Sequence, residues 1–512
     1  MTFCRFMLII SLTSILALAS CLQLVGCEAD SEIGNRRAVQ TKIADVDSFV
    51  ALSNDNDFGV SANIPGVEGA FAVVATDDIG GVYVTYQSQW TENSTESETF
   101  HIYFAYSHDY GESWSQSFRI NDNGSSSVQC DSPSIAVDQT NGHIFVAWKD
   151  NRTGVANVYI DRSMNRGVSF GSDVTVHDWP NDYIPPWLPY TVNLEISDTG
   201  ILYVAWKAYS GNSYSNCNIF FSHSIDNGQT FSAPVIVDST TGEAIVAHPW
   251  VVIDSRNVLY VGYTKRNSTS ANVYLTKSEN SGSSFDTPVK VTDVSTQNYC
   301  GGVQVAVSSD GKIHAVWTDN RAGDGTEYLD IYYATSLDNG LSFGSNLRVN
   351  DDVVVSPPDT HPHFTRGAQG TPTIVTDSDS KVHIFWEDFR NFLSDTTYCR
   401  DIYYASSSNG MQFSSNLKVN YVHPDVDSVN CADPNIAIDS RDTIFLVYSD
   451  APSGDNDHHS IYFMPIPSVT EQPSEQSSEQ PSETSSSALG FHLIAIFTAL
   501  VIAMFLCRKN RI

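Results

Sequence analysis

Ser107-His108-Asp109-Tyr110-Gly111-Glu112-Ser113-Trp114 is one copy of a pattern that returns at Ser163 to Phe170, Ser224 to Phe231, Ser278 to Phe285, Ser336 to Phe343 and, degenerate, at Ser406 to Phe413. Each copy reads Ser-x-Asp/Asn-x-Gly-x-Ser/Thr-aromatic. Asp109, Asn165, Asp226, Asn280 and Asp338 hold the acid position, and Ser408 aligns there in the last copy. The glycines fall at 111, 167, 228, 282, 340 and 410, so the unit returns every 54 to 70 residues. Self-similarity at such a period marks units that cannot bury their faces alone and must pack on their neighbours. The chain is expected to be all-β, a closed ring of similar modules.

The chemistry of the pattern explains its recurrence. An Asp or Asn two residues past a strand accepts hydrogen bonds from the backbone of its own turn, and the Gly two further on takes a positive φ without steric penalty. The closing Trp or Phe buries a large apolar face and anchors the turn. Over about residues 70 to 420 the chain resembles the Asp-box (BNR repeat) β-propellers of the sialidase superfamily. That resemblance implies a propeller in which the box is a peripheral structural turn away from the active site.

A second repeat counts the blades. Seven times an apolar strand meets a short turn, from Asp77-Asp78-Ile79-Gly80-Gly81 to Asp439 to Asp442, and a returning strand ends in an aromatic. Those aromatics are Tyr86, Trp148, Trp206, Tyr263, Trp317, Trp386 and Tyr448. A third strand leads into each box and a fourth follows it, with period-2 alternation joined by hairpin turns. The seventh unit has Ile461-Tyr462-Phe463 but neither box nor fourth strand. A strand within Val39 to Val60 is therefore expected to complete it and close the ring, removing exposed edges. Seven blades is the reading; six, the sialidase number, is the alternative. In such meanders the first and third turns share one face, so long irregular loops gather on the other, where a ligand would sit.

Three second turns share a signature: Asp150-Asn151-Arg152, Asp319-Asn320-Arg321 and Asp388-Phe389-Arg390. Converging at one mouth, three guanidinium groups could clamp a carboxylate, as the resemblance to sialidases implies, with Asp150, Asp319, Glu387 or Asp388 as general acid. Alternatively each Asp/Arg pair ties its own loop. The chain departs from the catalytic pattern of that superfamily. Its nearest string to an Arg-Ile-Pro motif is Phe118-Arg119-Ile120-Asn121, and no motif selects Tyr421 or Tyr448 as nucleophile, so the catalytic residues are unknown. Positions that break the repeat are the other ligand-binding candidates: Trp179 and Trp187 in the link to the third blade, His248 and Trp250 opening the fourth, and His361, His363 and Arg366 before the sixth. The aromatics suit stacking on a sugar or gripping a protein loop, or they plug the channel. No cofactor is called for and no metal assigned. Asp55, Asp57, Asp455 and Asp457 offer carboxylate oxygens to Ca²⁺, or form solvated turns.

The ends and the charge bound the setting. Residues 1–26 read as a signal peptide, in which Cys21 and Cys27 each follow a lipobox-like string. The propeller is assigned to 38–466, a Ser/Glu/Gln/Pro-rich disordered stalk to 467–487, a transmembrane helix to 488–507 and a basic cytoplasmic tail to 508–512. A GPI or sorting signal is the competing reading of the tail. The net charge of −32 excludes a nucleic-acid partner. Sequons stand at Asn93, Asn123, Asn151 and Asn267. Cysteines 130, 217, 300, 399 and 431 are an odd number whose pairing cannot be deduced. The expectation is a cell-surface protein, anchored by one C-terminal span, binding an extracellular glycan or protein ligand. A sialidase-like glycoside hydrolase and a structural surface-coat component are the alternatives.

Overall fold

A computed structural model of the chain describes residues 50–51, 71–89, 100–122, 129–154, 156–177, 192–209, 217–239, 245–267, 270–294, 300–321, 329–351, 372–390, 400–420, 429–452 and 460–466. Their strands form seven four-stranded antiparallel sheets, a seven-bladed β-propeller, so the six-bladed alternative falls. Blade one is built from Val73–Thr76, Val82–Gln89, Phe100–Ser107 and Phe118–Arg119, counted from the inner strand outward. The same order repeats through blade two (Cys130–Asp138 to Val174–His177), blade three (Val192–Ile196 to Val235–Ser239) and blade four (Ile245–Ile253 to Val289–Lys290). Blade five (Cys300–Val307 to Leu347–Arg348) and blade six (Thr373–Thr376 to Leu417–Lys418) follow. Blade seven takes Val429–Ile438, Ile444–Pro452 and Ser460–Ile466 from the end of the chain. Its outer strand is Val50–Ala51, with Val50 opposite Phe463 and Ala51 opposite Tyr462. The closing strand thus comes from within the expected N-terminal segment.

All seven closing aromatics are buried. Each lies directly opposite an aromatic of the third strand: Tyr86 and Tyr103, Trp148 and Tyr159, Trp206 and Phe220, Tyr263 and Tyr274, Trp317 and Tyr332, Trp386 and Tyr403, Tyr448 and Tyr462. Such pairs contribute about 0.5–1.5 kcal/mol beyond the area they bury. Seven apolar clusters fill the seams between neighbouring blades; the one holding Val82 and Val84 with Phe445 and Phe463 joins blade one to blade seven.

The inner strands are also linked around the axis. Leu194 N donates to Ser134 Oγ (3.0 Å), Val251 N to Asn193 Oδ1 (2.7 Å), Ile374 N to Gln304 Oε1 (3.3 Å) and Val74 N to Asn435 Oδ1 (3.0 Å). Trp250 Nε1 donates to Val305 O at 3.0 Å. Bulges in blades two, four, five and seven set up several of these bonds. At each bulge one residue has positive φ: Ser132, His248, Gly302 and Asp433. A bulge re-aims the next side chain, here toward the following blade.

Candidate functional site

The box turns are closed structures. Ser113 donates N–H to Asp109 Oδ1 (2.8 Å) and its hydroxyl to Oδ2 (2.5 Å), Ser107 Oγ donates to Oδ1 (2.7 Å), and Gly111 N donates to Ser107 Oγ (2.8 Å). Asn165, Asp226, Asn280 and Asp338 repeat the arrangement. At Asp226 the Thr230 hydroxyl and amide hold the carboxyl down at about 2. The sixth turn corrects the alignment. Asn409, not Ser408, takes the acid's role, accepting from Met411 N (2.8 Å) and from Ser407 Oγ (3.2 Å), while Gly410 N donates to Ser407 Oγ. The turn is one residue shorter, which shifts the strand's last serine from 406 to 407.

The three Asp-x-Arg turns sit in separate seams, each consumed by its surroundings. Arg321 grips Asp319 through Nε (2.9 Å) and Nη2 (2.5 Å), reaches Asp293 through Nη1 (2.5 Å) and lies 4.3 Å over the Tyr332 ring. Arg390 repeats this with Asp388, Asp351 and Tyr403, and Arg152 with Asp150, Asp173 and Tyr159. The outer acids belong to clasps between blades. Asp293 N donates to Asn346 Oδ1 while Asn346 N donates to Asp293 Oδ2, both at 2.9 Å. Asp351 with Asn416, and Asp122 with Asp173, form the same reciprocal pair. Asp319 and Asp150 are fully buried. They also accept from Trp317 Nε1 and Trp148 Nε1, and from the thiols of Cys300 and Cys130. The geometry is that of the loop tie, which Arg321 and Arg390 extend across the seam and Arg152 extends to Asp173 of its own blade. Among the contacts of the described residues, the three arginines meet three different sets of partners.

Of the positions that break the repeat, Trp250 is half-buried against the cluster between blades four and five. His248 stands on the bulge beside it; burial, with Lys207 nearby, pushes its pKa down to about 4, and Lys207 is itself lowered to about 8 by burial. Tyr448 is fully buried against Tyr462. Trp179, Trp187, His361, His363, Arg366, Tyr421, Cys399, Asp55, Asp57, Asp455 and Asp457, with segments 1–26 and 467–512, lie outside the described residues. Among the described residues no three His, Cys, Asp or Glu side chains gather as a metal cage, and no helix is long and apolar enough to cross a membrane.

Two acidic features stand apart from these ties. At the seam of blades six and seven, Asp433 N donates to Glu387 Oε1 at 2.7 Å, and Arg400 Nη1 lies 3.5 Å from Glu387 Oε2. Burial, then the neighbouring Asp433 carboxylate, raises Glu387; burial raises Asp433, and Arg400 partly offsets both. Paired acids of raised pKa beside one cation can hold and release a proton near neutrality. Sequence reasoning named Glu387 among the general-acid candidates beside the arginines and missed Asp433. The signal for Asp433 was its string Asp433-Pro434-Asn435, which matches Ser132-Pro133-Ser134 and His248-Pro249-Trp250. The second feature is an axial cavity of about 550 Å³ toward the hairpin-turn face, lined by the ends of inner strands, among them Thr76, Val137, Glu195, Ile253 and Ile438. Burial raises Glu195 within it to about 7.

No family model matches the chain, and no curated protein matches it. Solved structures resemble it in trace. The α-L-arabinanase of Penicillium chrysogenum, complexed with arabinobiose, gives a TM-score of 0.45 at 17% identity over 66% of this chain and 93% of that one. A mutant of the NanB sialidase from Streptococcus pneumoniae gives 0.45 at 13% identity over 82% and 70%. A protein of unknown function from Dyadobacter fermentans gives 0.44 at 12% identity over 67% and 96%.

Proposed function

We propose that this chain is a cell-surface propeller, anchored through 488–507, that binds an extracellular glycan or protein ligand on the face opposite its box turns. One observation carries the reading: the two faces are built differently. The face with the box turns is closed by short hairpins such as 77–81, 138–142 and 439–442. On the other, the chain leaves the described strands for its longest connections, 178–191 and 352–371 among them. Long connections held by a rigid ring are where binding residues concentrate. The engagement of Arg152, Arg321 and Arg390 in their own seams argues against a sialidase-type carboxylate clamp. The test is the full-length chain in detergent on a glycan array, beside a fluorogenic sialoside assay. Binding without turnover supports the reading; no binding to glycans, or to proteins of the cell's surroundings, sinks it.

A second reading rests on Glu387, Asp433 and Arg400. A buried acid pair with one cation is also what a glycoside hydrolase needs for proton transfer. Sialoside turnover abolished by Glu387→Gln, with the fold intact, would put that reading first.

A further inference from the structure

The box turns carry a property that the ring does not require. At the positions between the polar residues that fix each turn, several side chains are large, apolar and turned to solvent. Ile225 is 78% exposed, Met411 73%, Leu337 71% and Leu341 64%; Met164 joins them, as does Ile79 in the 77–81 hairpin of the same face. With Val168, they span five blades on one face. The other exposed large apolar side chains among the described residues, Phe71, Ile236 and Leu417, lie beside the first inner strand or in outer strands. Apolar tips repeated from blade to blade on one side of a molecule of net charge −32 offer that face several separate points of contact.

What covers that surface follows from where the chain leaves it. The last described strand, Ser460–Ile466, ends on the same face, because Ile466 pairs with Ile444, the residue that opens the second strand just after the 439–442 hairpin turn. The sequence then runs through the polar segment 467–487 into the apolar segment 488–507. The segment that leads to 488–507 therefore starts from this face. We propose that the box-turn face docks on the outer surface of the membrane, with the apolar turn tips seated among lipid headgroups; this rests on reading 488–507 as a membrane span. Hydrogen bonds within their own turns hold Asp109, Asp226 and Asp338 ionised, and Glu112 and Glu279 add to the negative charge of this face. The net charge selects a zwitterionic rather than an anionic leaflet. Docking also turns the long connections outward, where the proposed ligand would arrive.

The experiment is neutron reflectometry of the full-length chain reconstituted in a supported phosphatidylcholine bilayer. The wild-type chain is expected to give a protein layer continuous with the headgroups. A variant carrying Ile225→Ser, Leu337→Ser, Leu341→Ser and Met411→Ser is expected to keep its melting temperature and stay tethered, with a hydrated gap up to roughly 25 Å, the coil dimension of the 467–487 segment. A wild-type layer that is tethered yet already separated by such a gap overturns docking and leaves the anchor standing. A chain that washes off the bilayer overturns both. A detergent-solubilised dimer that the serine variant dissolves would assign the face to a second copy of the chain and overturn docking on lipid.

Discussion

Asp433 donates its backbone N–H to Oε1 of Glu387 at 2.7 Å, joining the bulged inner strand of blade seven to the second strand of blade six. The contact binds two blades through a carboxylate that burial would prefer neutral. Glu387→Gln keeps the acceptor for that N–H and removes the charge, so at pH 8 it is expected to leave stability unchanged or raised. Glu387→Leu strands the N–H and removes the carboxylate beside Arg400, and is expected to cost about 2–4 kcal/mol. Urea denaturation of the two variants at pH 8 separates these outcomes; equal losses would contradict the assignment.

Glu195 predicts a slope of stability with pH. Burial raises its folded-state pKa from the ordinary 4.5 to about 7, so the folded protein holds the proton more tightly than the unfolded chain. Its contribution is full below pH 4.5 and is lost as pH rises through 7. Glu195→Gln removes that loss and should gain up to roughly 3 kcal/mol over wild type at pH 8, with little difference at pH 4.5. Melting curves across that range check it, and a difference that is flat with pH would refute the burial of this carboxyl.

Arg321 bonds Asp319, which is fully buried, with two of its guanidinium nitrogens. Arg321→Ala leaves a carboxylate in the seam with its main cation gone, at about 3 kcal/mol. Arg321→Lys should recover little, because an ammonium cannot reproduce the fork. Ligand binding by the surviving folded fraction is expected to stay unchanged, which an active-site arginine would not allow.

The sixth box offers a paired comparison. Asn409→Ala removes the acceptor for Met411 N and Ser407 Oγ and should cost about 1 kcal/mol, whereas Ser408→Ala should be neutral. Thermal denaturation of the two variants reverses the correction if Ser408→Ala is the more harmful.

Gly167 has φ +85°, and a Cβ there would fall 2.8 Å from Phe104 Cε1 of the neighbouring blade. Gly167→Ala combines left-handed strain with that clash and is expected to lose about 2–3 kcal/mol. Gly154, also at positive φ but with nothing within 4 Å of a Cβ, should lose only about 1 kcal/mol on the same change, from strain alone.

What the sequence revealed is what repeats. Seven strand-closing aromatics meet seven partners across their blades, and the missing outer strand of the seventh unit pointed to the N-terminal segment that supplies Val50–Ala51. Legibility ended where meaning depends on distant partners. Asp-x-Arg has the same local spacing whether the guanidinium faces a ligand or a clasp. Only the folded ring shows Asp293 beside Arg321 and Asp351 beside Arg390. Glu387 and Asp433 meet for the same reason, across a seam that no local pattern encodes. Ser408 was misread because the match fixed Gly410 and Phe413 and counted back through a turn one residue short.

The strand Ser460–Ile466 is hydrogen-bonded on one side to Ile444–Pro452 and on the other to Val50–Ala51. A pull on the chain beyond Ile466 therefore runs along the strand, loading its ladder bonds in shear together instead of peeling them one after another. Force entering the ring at Ile466 meets hydrogen-bond ladders on both edges of that strand.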